Sequence, residues 1–254
     1  MRNILAIAQR ELNAYFSSSI GYVLVGFFAL LFGWFFYVPL AYFAQQSMQA
    51  GMNPGQALNV NQMLVGPAFM NTTVIMLLVF PLITMRTYSE EKRSGTIELL
   101  LTSPLTDLEI ILGKFLGAML LYVAMLSITL VHMAILFIYG DPEWKPIATG
   151  YLGLLLMGGC FLSLGLFISS LTKNQIVAAM ATFAVFLMLW VINWISTFVG
   201  PTTQAVLGHL SITEHFDDFA KGIIDTKHVI YYLSFMALGL FLTMKSVDSE
   251  RWRG

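Results

Sequence analysis

Charged side chains are scarce in this chain. Of its 254 residues, 13 are Lys or Arg and 14 are Asp or Glu, 11% in all, where soluble globular domains carry roughly 25%. Aliphatic, aromatic and sulphur-bearing residues fill 57% of the sequence. A water-soluble domain of this size keeps too much of its surface in solvent to hide that apolar content. Soluble enzymes, disordered tails and nucleic-acid binders are therefore excluded. Cysteine is nearly missing as well: Cys160 stands alone and can form neither an internal disulfide nor a thiol metal site. No G-x-x-x-x-G-K-[ST] loop occurs, because Gly113-Lys114 lacks both the upstream glycine and the following hydroxyl, so no nucleotide is expected to bind through such a cradle. Neither G-x-S-x-G nor H-E-x-x-H is present, which leaves serine and zinc hydrolysis without their machinery. The chain reads as a non-enzyme, with no catalytic residue, cofactor or metal of its own.

What the sequence has instead is long apolar runs. A hydrocarbon core about 30 Å thick takes around 20 helical residues to cross. Charges are absent from Leu12 to Met85, Phe115 to Gly140, Pro146 to Thr172, Asn174 to Thr213 and His228 to Met244. These windows predict an all-α, polytopic membrane protein with six transmembrane helices, near Ile20–Ala44, Ala68–Met85, Phe115–Tyr139, Gly150–Ser170, Ile176–Val199 and Val229–Met244. The first two share one window, divided at the polar segment holding Asn53-Pro54-Gly55, a strong turn signal. An even number of spans puts both termini on one side. That side carries Arg2, Arg10, Arg86, Lys92, Arg93, Lys114, Lys173, Lys245, Arg251 and Arg253, while the other carries only Lys145, Lys221 and Lys227. Ten against three is a positive-inside bias, which predicts that both termini are cytoplasmic.

Residues 1–18 read as an interfacial elbow helix. Ile4, Leu5, Ala8, Leu12, Tyr15 and Phe16 recur at helical spacing, with Arg2, Asn3, Gln9, Arg10 and Asn13 on the other face, a pattern suited to a helix lying along the membrane surface. A plain cytoplasmic lead-in is the alternative. Between the second and third spans, residues 86–113 gather most of the polar chemistry. This segment reads as a helix end, a turn at Gly95, a short helix from Thr96 and a stop at Pro104. Thr106 and Glu109 then stand in capping-box spacing at the start of the third span.

At this point the residues resemble a known family. Tyr88-Ser-Glu-Glu-Lys-Arg-Ser-Gly-Thr-Ile-Glu-Leu-Leu-Leu-Thr-Ser-Pro104 resembles the coupling segment of ABC-2-type transporter permeases, in particular the gliding-motility and nitrous-oxide-reductase-maturation ABC permeases. The stretches from Glu11 to Tyr22 and from Leu210 to Asp225 are similar to that subfamily's elbow and to the segment before its last span. The resemblance implies a single ABC-2-type transmembrane domain over residues 1–254, in a bacterial inner membrane. It also implies a second permease copy or homologue as partner and a separate cytoplasmic ABC ATPase dimer that binds the ATP. Glu90, Glu91, Arg93, Gly95, Thr96 and Glu98 are carried over as the ATPase contact. A structural or assembly subunit with no ATPase attached is the alternative.

The remaining polar residues are read as follows. No Asp, Glu, Lys or Arg lies inside the spans as drawn, which disfavours an ion-coupled carrier. His132 is expected to be a packed, hydrogen-bonded side chain rather than a ligand or relay. Asn71, Thr72, Thr73 and Asn193 either line a conduit or make interhelical hydrogen bonds. Gly113 and Gly117 form a G-x-x-x-G that lets another helix come close, and Pro81 is a candidate kink. The outer segment, residues 200–228, mixes Leu210, Phe216, Phe219, Ile223 and Ile224 with Glu214, Asp217, Asp218 and Lys221. It reads as a short amphipathic helix or re-entrant pair that meets an outer accessory protein, or else as a lid on its own subunit.

Overall fold

The computed structural model describes residues 2–50, 59–102, 104–196 and 200–251. These form eleven α-helices and, among the described residues, no strand. In chain order they are α1 (Arg2–Phe16), α2 (Ser19–Ala50), α3 (Gly66–Thr84), α4 (Ser89–Ser94), α5 (Thr96–Leu101), α6 (Asp107–Tyr139), α7 (Trp144–Ser170), α8 (Gln175–Ser196), α9 (Pro201–Leu210), α10 (Asp217–Ala220) and α11 (Thr226–Arg251). A π-helical turn, Asn61–Val65, leads into α3, and a 3₁₀ turn, Glu214–Phe216, leads into α10. Among the described residues, six helical runs are long and apolar enough to cross a membrane: Ser19–Gln49, Asn61–Ser94, Asp107–Tyr139, Trp144–Ser170, Gln175–Ile192 and Thr226–Glu250.

The number of spans matches expectation; most of their described ends reach further. The hydrocarbon core demands only its central stretch, and beyond it a helix goes on closing its own backbone hydrogen bonds. Thus α6 begins at Asp107 rather than Phe115, taking Lys114 into the helix, and α3 runs on through Pro81. The turn expected at Asn53-Pro54-Gly55 and the end of the fifth span at Val199 lie outside the described residues.

Helix α7 is the hub. It packs on α3, α6, α8 and α11, and a stripe of small residues lets them approach: Gly158 lies against Tyr122 of α6, Gly159 against Met236 of α11 and Gly165 against Thr84 of α3. Close backbone approach of this kind replaces the hydrophobic drive that lipid removes. Tyrosine hydroxyls then bond across helices, Tyr122 Oη to the Leu154 carbonyl at 2.9 Å and Tyr15 Oη to the Ile83 carbonyl at 2.9 Å. Both termini sit at the same end of the bundle as residues 84–110. Asn3 reaches Glu109 at 3.1 Å and Lys92 reaches Glu250 at 2.7 Å. We call this the terminal end; α9, α10 and the N-terminus of α11 occupy the opposite end.

Candidate coupling site

Helix α1 lies against the start of α6. A Cβ on Gly113 would stand 2.6 Å from Ile7 Cβ, and one on Gly117 would stand 2.7 Å from Glu11 Cβ. The G-x-x-x-G pair therefore is a close-approach site, and the helix it admits is α1 rather than another span. The buried face of α1 is the expected apolar one except at Leu5. Ile7, Ala8 and Tyr15 are buried, whereas Leu5 is 64% exposed. The reason is Glu11, which turns toward α6 and rotates Leu5 outward.

Glu11 turns inward because Lys114 is there. Lys114 sits between the two glycines, with its side chain 1% exposed. Its three ammonium protons meet three acceptors: Glu11 Oε1 at 3.1 Å, Glu91 Oε1 at 2.8 Å and the Thr87 carbonyl at 2.9 Å. Arg10 adds a second cation, 2.8 Å from Glu11 and 3.5 Å from Glu91. Two carboxylates and two cations thus close a formally neutral cluster joining α1, α4 and α6, and the Tyr88 ring lies 5.1 Å from the Lys114 nitrogen. Burial alone would raise the Glu11 carboxyl, but Lys114 and Arg10 outweigh it and hold the group below the ordinary carboxylate range. A cleft of about 360 Å³ opens beside the cluster, lined by Arg10, Tyr15, Arg86, Glu90 and Thr96 among others.

Helix α4 is fastened to the bundle at further points. The backbone N–H groups of Tyr88 and Ser89 donate to Ser169 Oγ of α7 at 3.1 and 3.3 Å, and that hydroxyl donates to the Met85 carbonyl at 3.2 Å. Lys92 is buried against Glu250 of α11. Gly95 then ends α4 in the left-handed region, φ +74°, where any other residue would be strained. Beyond it α5 projects. Thr96, Glu98 and Leu99 are exposed, Leu99 by 72%, while Ile97 turns inward. The capping box that starts α6 is present, Glu109 N–H donating to Thr106 Oγ1 at 3.3 Å and Thr106 N–H to Glu109 Oε2 at 3.1 Å.

Of the six residues assigned to a partner contact, the structure places Arg93, Gly95, Thr96 and Glu98 on the surface, with Glu90 half-exposed and paired to Arg86 at 3.3 Å. Glu91 faces the Lys114 cluster instead. Sequence reasoning missed Glu11, Lys92 and Lys114, whose partners come from distant segments. The proposed conduit residues divide. Thr72 is fully buried and bonds the Ala68 carbonyl of its own helix, Thr73 bonds the Met70 carbonyl, and Asn71 reaches the Phe35 carbonyl of α2 at 3.4 Å. The Asn193 side chain lies outside the described residues. Asn71 and Thr73 border a cleft of about 210 Å³ with Trp190, Trp194 and Thr213. His132 is a packed ring, edge-on to Phe32 and Phe36. At the opposite end, Phe216 and Phe219 are fully buried and Thr149 of α7 bonds the Phe219 carbonyl at 2.7 Å, so this segment packs on its own subunit.

A six-span helical bundle with a rigidly held loop helix at its polar end is a membrane-subunit architecture. Residues 5–244 match the family described as ABC-2 family transporter protein, and the chain belongs to that family. Its relatives include the proteins called "Probable multidrug ABC transporter permease YbhR" in Escherichia coli strain K12 and in Escherichia coli O157:H7, each 31% identical over 147 residues, or 56% of this chain. The matched stretch is 39% of those relatives' length, so the chain aligns with well under half of each. The family match and the six apolar helices make it a multi-pass membrane protein of that transporter family; the finer likeness to gliding-motility and nitrous-oxide-reductase-maturation permeases rests on the motifs alone.

Proposed function

We propose that this chain is the membrane half of an ATP-driven export complex, with α5 docking on a separate cytoplasmic ATPase dimer and a second permease completing the conduit. Both termini then lie in the cytoplasm, in the bacterial inner membrane, as the basic bias of the terminal end predicts. The observation that carries the reading is the pairing of an exposed apolar side chain, Leu99, with a base that is fixed to the bundle. A leucine 72% exposed at the polar end of a membrane protein is suited to a groove on a soluble partner. Force on α5 passes through Gly95 into α4, and from α4 to α1 and α6 through the Lys114 cluster, to α7 through Ser169 and to α11 through Lys92–Glu250. Approach of the two ATPase subunits on binding ATP thus tilts several spans together and switches the conduit between two arrangements. Arg93, Thr96 and Glu98 supply polar contacts around Leu99, while Glu91 transmits from behind. Asn71 and Thr73 line the path that opens.

Co-purification from native membranes in mild detergent, with bound ATPase identified by mass and by hydrolysis, tests the reading. The wild-type chain retains the ATPase and stimulates its hydrolysis; Glu98→Arg and Leu99→Ser lose both while the bundle stays folded. If the wild-type chain brings down no ATPase, the chain is an assembly subunit without a motor; if it does but both variants behave as wild type, α5 is not the docking element.

A further inference from the structure

The opposite end of the bundle holds a chain of imidazoles that has no part in the coupling scheme. His228, at the start of α11, and His215, in the turn before α10, are both buried. Their Nδ1 atoms face each other at 2.6 Å. His215 Nε2 faces the His209 carbonyl at 3.2 Å, and His228 Nε2 faces Asp218 Oδ2 at 2.8 Å. The Asp225 carboxylate completes the group, so that donor atoms of Asp218, Asp225 and His228 all lie within 4.8 Å of one another.

With both rings neutral, the order of donors along this chain follows from one end. A carbonyl only accepts, so the hydrogen of His215 sits on Nε2, and a neutral His215 presents a bare Nδ1. That atom accepts from His228 Nδ1–H. The neutral His228 ring then has no hydrogen left for Nε2, which is aimed as a lone pair at an anionic carboxylate oxygen, with a second carboxylate beside it. Two acceptors in contact repel, and only a cation between them reverses the sign. A proton on Nε2 would satisfy Asp218 alone. A divalent metal ion satisfies Asp218 and Asp225 together and leaves both rings neutral, each donating away from the metal. Metal-bound histidines commonly show this arrangement, the second ring nitrogen donating to an outer partner that fixes the tautomer.

We propose that His228 Nε2, Asp218 and Asp225 form a site for a divalent ion of the zinc class, with His215 and the His209 carbonyl as its outer support. One imidazole and two carboxylates are a donor set zinc accepts, the fourth position being left to water. Zinc-bound donors stand closer than the present spacing, at bonds of about 2.0–2.2 Å, and the freedom to close is there. Asp218 and Asp225 are only part-buried. Asp225 Oδ1 accepts from the Lys227 backbone N–H at 2.9 Å, which leaves Oδ2 to turn to the metal, its present hold being a 3.0 Å pair with Lys227, whose side chain is 64% exposed, an interaction of little strength. Bound metal ties α10 and the following loop to the first turn of the last span, a clasp on the outer segment that is independent of the ATPase contact.

Equilibrium titration of the untagged, chelator-stripped full chain in detergent tests this, with zinc read by a chromophoric competitor and cobalt by its visible absorption. One equivalent should bind, with the intense cobalt bands of a four-coordinate site. His228→Ala and Asp218→Asn should abolish it, and Asp225→Asn, a part-exposed change that spares the packing, should weaken it at least tenfold. His215→Phe keeps the stack on Tyr231 and should weaken binding 10- to 100-fold, as losing an outer partner does. Failure of the wild-type chain to bind one equivalent overturns the proposal, as does binding unchanged by Asp225→Asn in a variant that elutes as wild type. Neither result bears on whether an ATPase docks at α5.

Discussion

Helices α4 and α5 are each six residues long and stand on either side of Gly95, yet they are built for opposite ends of one task. Helix α4 buries Ser89 and Lys92 and sends Glu91 into an ion cluster; α5 exposes Thr96, Glu98 and Leu99. Six residues form no stable helix on their own, so each is held by something else. For α4 that something is the bundle. For α5 it is the Gly95 turn behind and, in the proposed complex, the ATPase in front. A lever needs a fixed end and a free end, and the charge distribution assigns them: α4 turns Glu91 and Lys92 inward, whereas Glu98, the one charge of α5, is exposed.

The largest expected effect comes from dissolving the fixed end. Lys114→Ala leaves Glu11 and Glu91 sharing the half-exposed Arg10 in a mostly buried site, and removing the buried partner of such a cluster costs about 3–5 kcal/mol. Thermal unfolding in detergent should show a drop of several degrees together with loss of ATPase stimulation; an unchanged midpoint would mean the cluster is solvated. Gly113→Val drives a side chain into Ile7 and should cost about 1–3 kcal/mol by overpacking, read as protease cleavage within α1 at concentrations that spare the wild type.

Acid probes the same end without mutation. Glu11 is held below its unfolded value, so its stabilisation is complete above the ordinary carboxylate pKa of about 4.3 and is lost as pH falls through the lower folded value. Midpoints measured from pH 6 down to pH 3 should therefore fall more steeply for wild type than for Glu11→Gln. Gly95→Ala, at φ +74°, should cost about 1 kcal/mol while misdirecting α5, so ATPase stimulation suffers more than stability. Leu99→Ser sits at the free end and should shift stability by no more than about 0.5 kcal/mol in the isolated chain. A larger shift would show that Leu99 packs on its own subunit, and the contrast between the two helices would disappear.

Legibility in the sequence followed distance along the chain. The Thr106–Glu109 capping box and the Gly95 turn involve near neighbours, so spacing and residue type sufficed to read them. The G-x-x-x-G at Gly113 and Gly117 announced a close approach but not by what, since small residues mark only the space. Lys114 counts in the sequence only as one of ten basic residues on one side, because Glu11, its partner, is 103 residues away. Glu91 looked like a surface contact for the same reason, and the His215–His228 pair was passed over because two turns of different elements bring the rings together. Thr72 and Thr73, read as conduit or interhelical groups, bond their own helix, an option open to a hydroxyl in any helix.

The chain's composition by itself determined the solvent, the six helical spans and the sharing of one end by both termini. In hydrocarbon every backbone group must bond within its own segment, so apolar length translates directly into helix. Which charges face inward, which glycine admits which helix and which short helix is fixed or free were decided only by tertiary structure. Those outcomes depend on pairing groups far apart in sequence, and the cost of burying a charge or a polar atom is set by the partner that meets it there.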